Sequence, residues 1–257
     1  MGFAQDWKEW HQERERSAAA PYSMLALVGT FWIDDATTVP EVPGMWSVDE
    51  QGVMVKGRGE DGLVVDGEVV DGTSRPRSDR DPRPSTISHG DWKLALIERS
   101  GRFAVRVYDP HATTRTSFGG IEAFPPEEPW AVPATYTAYA GEVVVTVPNA
   151  DGYDRDLALS GEVRFVVNDQ ALTLRVSRRD DGLHAVFSDR TSGDTTFRFR
   201  FLNLPVPDVD GATLIDFNRA YLPPCAFTDH YLCPYPPEDN ALPLAVTAGE
   251  KAIRRRR

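Results

Sequence analysis

The segment Asp216-Phe217-Asn218-Arg219-Ala220-Tyr221 gathers a carboxylate, an amide, a guanidinium and a phenol in one short run. If a strand ends here, Asp216 and Asn218 share one side of it and Ile215 and Phe217 the other, because strand side chains alternate. Arg219 and Tyr221 follow as the chain leaves the sheet, and Pro223-Pro224 stiffens the exit. Groups of these types held on rigid backbone orient a polar ligand or act as general acid and base. The competing reading is a buried polar network that pins the following loop to the sheet, with Arg219 paired to Asp216.

Other constellations carry weaker chemistry. His89 and Asp91 flank Gly90, a pairing from which a general base can be built, whereas His11 and His184 read as structural and His111 as a turn residue. Cys225, His230 and Cys233 form C-x4-H-x2-C with Asp229 alongside, three soft ligands in one loop. A zinc site normally draws on a second ligand pair elsewhere, and none exists, so buried thiols or one local disulfide are preferred and no metal is expected. Residues 149–156, NADGYDRD, have the oxygen spacing and central glycine of a calcium loop but no closing glutamate, and read as an Asp/Gly turn. Gly57-Arg58-Gly59-Glu60-Asp61-Gly62 matches G-x-G-x-x-G, yet a strand follows rather than a helix, and Glu60 and Asp61 would repel a phosphate; it too is a turn. No G-x-S-x-G, Walker loop or H-E-x-x-H occurs.

The elements that must position these groups are mostly strands. The 257 residues carry a formal charge of −11, with 41% hydrophobic residues, 20 Gly, 20 Pro and 2 Cys. That is enough apolar surface for a sizeable core, and the turn-forming residues imply many short strands rather than long helices. Disordered, collagen-like, coiled-coil and disulfide-scaffold classes are excluded. The acidic balance disfavours nucleic acid and anionic membrane, and two local basic clusters read as a frayed terminus (254–257) and a solvated loop (75–84). The longest uncharged run, 17–33, is broken by Pro21 and Gly29 and makes a poor membrane span; no basic-then-apolar leader opens the chain, so cytoplasmic residence is expected.

Along the chain, Phe3, Trp7, Trp10 and His11 fall at i, i+4, i+7 and i+8, which predicts an amphipathic helix over 3–19 stopped by Pro21 and packed as a lid on a β core. Short apolar pieces then alternate with Gly, Pro and Asp through residue 112, including a hairpin turning at Ser100-Gly101. A Pro-rich connector over 118–133 leads to a second β run. There Leu172, Leu174 and Val176 alternate with Thr173, Arg175 and Ser177, and Phe197, Phe199 and Phe201 alternate with Thr196, Arg198 and Arg200, one face dry and one wet. Residues 216–240 are too irregular for a strand and too apolar for a disordered tail, so they predict an ordered loop lying on the second sheet.

The strings DFNRAY (216–221), PPCAFT (223–228), Cys233-Pro234, Pro236-Pro237, Asn240 and Ala248-Gly249-Glu250 resemble the signature of a bacterial and archaeal family catalogued as domain of unknown function 1684. Trp7, GTFW (29–32), RVYD (106–109), Phe118-Gly119-Gly120 and Trp130 are similar as well, so the resemblance covers nearly the whole chain. It implies no activity. It also implies a small module similar to a forkhead-associated sandwich, with Asp66-Gly67-Glu68-Val69-Val70 as one of its strand pairs. The residues that read phosphothreonine in such folds are missing, Thr86-x-x-His89 being a partial match in the wrong chain order, so phosphopeptide binding is not expected.

The expected fold is therefore mainly β: an N-terminal helix (1–19), a small forkhead-associated-like β-sandwich (20–112), and an antiparallel β-barrel or sandwich with a Pro-rich C-terminal loop (113–257). The expected function is a binding module for a small polar or amphipathic ligand at Asp216, Asn218, Arg219, Tyr221 and Asn240, with no nucleic-acid or membrane partner and no cofactor specified by the residues. The alternative is a hydrolase or isomerase using Asp216 or His89 as general base.

Overall fold

The computed structural model describes residues 2–149, 152 and 154–256. They form a mainly β protein in two compact units, Ala18–Ser117 and a second that joins Met1–Ser17 to Phe118–Arg257. Helix α1 (Phe3–Ala19) opens the chain as its aromatic spacing predicts, and Phe3, Trp7, Trp10, His11, Arg14 and Glu15 are its half-buried stripe.

The Ala18–Ser117 unit contains β1 (Leu27–Trp32), β2 (Thr37–Val39), β3 (Val42–Asp49), β4 (Gly52–Gly57), β5 (Leu63–Val65), β6 (Glu68–Val69), β7 (Gly72–Ser74), β8 (Ile87–His89), β9 (Trp92–Arg99) and β10 (Arg102–Tyr108). They pair into two antiparallel sheets, ordered β1-β10-β9-β8-β5-β6 and β2-β3-β4-β7. Val42, Trp46 and Val55 from the four-stranded sheet share one core with Leu63, Leu96 and Val105 from the other, Trp46 being fully buried. The β9–β10 hairpin turns at Ser100-Gly101, both left-handed at φ 51° and 73°, the backbone that a two-residue hairpin loop demands.

In the second unit, β11 (Phe118–Ala123) is followed by β12 (Ala131–Pro148), β13 (Asp154–Val167), β14 (Gln170–Arg179), β15 (Gly182–Phe187), β16 (Arg200–Leu204), β17 (Ala212–Asp216) and β18 (Glu250–Arg255). Six of these make an antiparallel half-barrel ordered β16-β15-β14-β13-β12-β17. Its inner face buries Val163, Leu174, Leu183, Phe187, Leu202 and Ile215, and the irregular C-terminal segment closes it with Phe217, Leu242, Val246 and Ala248. That segment is tied down by backbone pairs: Tyr221 exchanges hydrogen bonds with Phe201, both at 2.9 Å, while Leu242 donates to Ser188 at 2.8 Å and Arg190 to Leu244 at 3.0 Å.

Two expectations need correction. The first concerns the start of the Pro-rich connector and the basic tail: they form the β11–β18 ladder, Phe118 opposite Arg255 and Ala123 opposite Glu250. The terminal arginines keep their side chains in water while their backbone is paired, so a basic run is no bar to a strand. The second concerns the Phe197–Leu202 alternation. The strand begins only at Arg200, and Arg200 is fully buried instead of wet. Its Nη2 meets Asp189 Oδ2 at 2.7 Å and Val246 O at 3.0 Å, and its Nη1 donates to Ala248 O. Asp189, also sealed from solvent, accepts from Thr191 N at 2.7 Å and Thr191 Oγ1 at 2.6 Å. Burial drives the guanidinium pKa down, with Asp189 opposing the shift.

The chain then needs a glycine. A Cβ on Gly249, at φ +80°, would stand 2.5 Å from Ala220 O and 2.7 Å from Phe217 O, so only glycine lets the 217–220 turn and the start of β18 meet. No helix among the described residues is long and apolar enough to cross a membrane.

Removing one partner of the buried pair strands the other charge. Asp189→Ala is expected to lower unfolding free energy by about 3–5 kcal/mol, read as a shift of the urea midpoint.

Candidate functional site

The DFNRAY residues separate into two kinds. Asp216 ends β17 and caps the 3-10 turn Phe217–Arg219 by accepting from Asn218 N at 3.0 Å. Asn218 is fully buried and fully engaged: its Oδ1 accepts from Glu127 N at 2.9 Å, its Nδ2 donates to Glu127 O and Asp216 Oδ1, both at 2.9 Å, and its carbonyl accepts from Trp7 Nε1 at 2.7 Å. This is the polar network that pins the connector and α1 to the sheet. Asn240 behaves alike. Its Oδ1 accepts from Arg175 N at 2.7 Å and its Nδ2 donates to Arg175 O at 2.9 Å and Val186 O at 2.8 Å, filling the gap where β14 and β15 part.

Asp216, Arg219 and Tyr221, in contrast, line one pocket of about 610 Å3. Arg219 pairs with Asp216 at 3.4 Å without sealing the site: their side chains remain 43% and 19% exposed. The rest of the wall was not singled out by sequence. Trp10 and Arg14 come from α1, Asp181 from the turn between β14 and β15, Asn203, Leu204 and Pro205 from the end of β16, and Leu214 from β17. For the helix a signal was present, since Arg14 continues the spacing of Phe3, Trp7 and Trp10. Asn203 and Asp181 carry no local signature, because their meeting depends on strand register.

Arg14 is held by Glu250, which is completely buried. Glu250 Oε1 takes Arg14 Nε at 2.8 Å, and Oε2 takes Arg14 Nη2 at 3.0 Å and Leu222 N at 2.7 Å. Thus anchored, the guanidinium lies 4.8 Å over the Tyr221 ring. Tyr221 Oη donates to Asn203 Oδ1 at 3.2 Å, and the same oxygen faces His184 Nδ1 at 2.9 Å. Burial pushes the Tyr221 phenol above its ordinary range, Arg179 and Arg14 opposing the shift. Burial also depresses the His184 imidazole to about 4, helped by Arg179. Both rings are therefore neutral near pH 7.

The remaining candidates lie elsewhere. His89 and Asp91 border a smaller hollow of about 400 Å3 in the Ala18–Ser117 unit, with His111 Nε2 3.8 Å from Asp91 Oδ2. Thr86 is spent on the fold, its N–H bonding Asp66 Oδ1 at 2.8 Å. Cys225 and Cys233 are buried unbridged thiols in an aromatic cluster with Phe199, Phe201 and Tyr235, and Cys225 N approaches Cys233 Sγ at 3.3 Å. Their hydrogen bond, then burial, raises the Cys225 pKa. His230 is exposed, and among the described residues no three His, Cys, Asp or Glu side chains gather into a metal-holding group. In the 149–156 segment, Ala150, Asp151 and Tyr153 lie outside the described residues, so the calcium-loop reading does too; Asp156 is in β13 and accepts from Thr146 Oγ1 at 2.7 Å.

A family described as "Protein of unknown function (DUF1684)" matches residues 116–251. Among solved structures, the uncharacterized protein from gene locus rrnAC0354 of Haloarcula marismortui, determined by solution NMR, is 33% identical over 53% of this chain and 78% of that one, with a TM-score of 0.45. No curated protein matches the chain.

His184 makes stability depend on pH. An unfolded chain titrates it near 6.5 and the folded protein near 4, so between those values the unfolded state binds more protons and stability falls as pH falls. The contribution present above pH 6.5 is about 3 kcal/mol, lost progressively toward pH 4. Urea titrations at pH 7.5 and 4.5 are expected to show this slope, reduced by about that amount in His184→Gln.

Proposed function

Because the chain belongs to the DUF1684 family, whose description states no activity, we propose a function from the pocket itself: a module that binds a small amphipathic molecule without turning it over. The observation that carries this reading is the meeting of Asp216, Arg219 and Tyr221 with Trp10 around one hollow of about 610 Å3, within the range of small-molecule sites. Leu204, Pro205, Leu214 and the Trp10 ring supply an apolar wall, and a few polar groups converge on it. Asn218 and Asn240 act as supports that hold this wall in place, not as contacts.

The enzymatic alternative draws less support. A general base needs a lone pair aimed at substrate and a pKa matched to working pH. Asp216 Oδ1 already accepts twice from Asn218, and Oδ2 faces Arg219. Tyr221 and His184 are shifted away from neutrality in opposite directions. His89 belongs to the other unit, where its hollow is the smaller of the two. Residence in the cytoplasm is part of the same reading, supported by two adjacent cysteines that stay as thiols.

The test is native mass spectrometry of the purified protein together with Trp fluorescence titrations against a chemically broad small-molecule panel. Bound mass or saturable quenching is expected in the wild type. In Leu214→Trp, whose indole fills the pocket from a half-exposed position, affinity should weaken at least about ten-fold. Equal binding by both proteins, or none by the wild type, would sink the proposal.

A further inference from the structure

Resting on the pocket assignment above, we infer that the ligand's polar end is a small carboxylate, received by Arg219 and Asn203, with an apolar body laid against Trp10 and Leu214. The argument is a count of hydrogen-bonding groups left unused at the pocket.

The acceptors are nearly all spent. Both Glu250 oxygens are occupied by Arg14 and Leu222 N, and the carboxylate is sealed from solvent. Asp216 Oδ1 takes two bonds from Asn218, and its Oδ2 is turned to Arg219 Nε. Tyr221 Oη is approached by the Arg179 guanidinium. A phenol oxygen so engaged must send its own proton elsewhere, and Asn203 Oδ1 receives it. His184 Nδ1 stands 2.9 Å from that same Oδ1.

The phenol proton marks that atom as the amide oxygen, and a neutral His184 protonated on Nδ1 donates to it as well. Asn203 Nδ2 is then the amide's unsatisfied end, and it has no partner among the described residues although Asn203 lines the pocket. Arg219 is in the same condition. Only its Nε is used, at 3.4 Å, and both Nη groups lack a partner among the described residues. A planar guanidinium with two free Nη groups matches the two oxygens of a carboxylate, and the Asn203 amide adds a neutral donor. Asp181, exposed at the rim, is the one lining acid with neither oxygen engaged; it opposes a negative charge beside it, so an anion in this pocket must be held by Arg219. The apolar wall of Trp10, Leu204, Pro205 and Leu214 sets the other requirement, a flat or branched hydrophobic body.

The experiment uses two probes of one shape, phenylacetate and phenylacetamide, titrated into the full-length protein and followed by saturation-transfer NMR and Trp fluorescence. Phenylacetate is expected to bind at least about ten-fold more tightly than the amide. Arg219→Gln, an exposed position that leaves the core untouched, should weaken phenylacetate far more than phenylacetamide and bring the two probes within about two-fold. Asn203→Leu should weaken phenylacetate several-fold. If phenylacetamide binds the wild type as well as phenylacetate does, the carboxylate assignment is overturned and the pocket stands. If neither probe binds and Leu214→Trp gives the same blank as the wild type, both fall.

Discussion

The second unit hangs on a guanidinium with no water around it. Arg200 is fully buried, and its charge is met by Asp189 while its two Nη groups also reach the carbonyls of Val246 and Ala248. A charge in that position is tolerable only if every one of those acceptors stays in place. The consequence runs outward along the chain. With Val246 and Ala248 fixed, Gly249 is pressed against the 217–220 turn and Glu250 is delivered, buried, to the position where it clamps Arg14. Arg14 is on α1, so the helix, and with it the Trp10 side of the pocket, is registered to the barrel through a series of ionic contacts that starts in the core. Hydrophobic closure by Phe217, Leu242 and Val246 supplies the bulk of the packing, but it is non-directional and would not by itself choose this registration.

Polar residues in the C-terminal segment thus have two unlike roles. Asn218, Asn240 and Glu250 have every side-chain oxygen engaged with protein and act as staples between segments far apart in sequence. Arg219 and Tyr221 stand at the edge of that stapled block, Arg219 exposed and Tyr221 half-buried under the Arg14 guanidinium. The wall of the pocket is held rigid by residues that never touch it.

What could be read from the sequence was what depends on neighbours along the chain. The helix over 3–19, the hairpin at Ser100-Gly101 and the alternation through Leu172, Leu174 and Val176 follow from periodicity and turn chemistry within a few residues. The DFNRAY run was conspicuous for the same reason, because its polar residue types sit side by side. Arg200 was misread because its partners are remote: Asp189 precedes it across an irregular turn and Val246 follows it by most of the C-terminal segment. The β11–β18 ladder was missed for the same reason, since an arginine run gives no sign of a backbone partner that lies more than a hundred residues upstream. Asn218 and Asn240 looked like binding residues until the partners that occupy them were known. Local pattern carries element type; long-range pairing decides which polar side chains are spent as staples and which stay at the pocket.

The Ala18–Ser117 unit interrupts the chain between α1 and the strands on which α1 docks. It also gathers its own two ends. Arg115 Nε donates to the carbonyls of Ala19 and Ala20, both at 3.1 Å, Thr114 reaches Leu25 O at 2.6 Å, and β1 pairs with β10. For a flexible connection of that length, returning the helix to β11 and β18 would cost about 4 kcal/mol of loop-closure entropy, growing with the logarithm of the residues spanned. Once the unit has folded, that long tether behaves as a short one. Its folding thus reduces the entropy lost when the helix is seated, because the order in which the chain visits the two cores makes one of them the tether of the other.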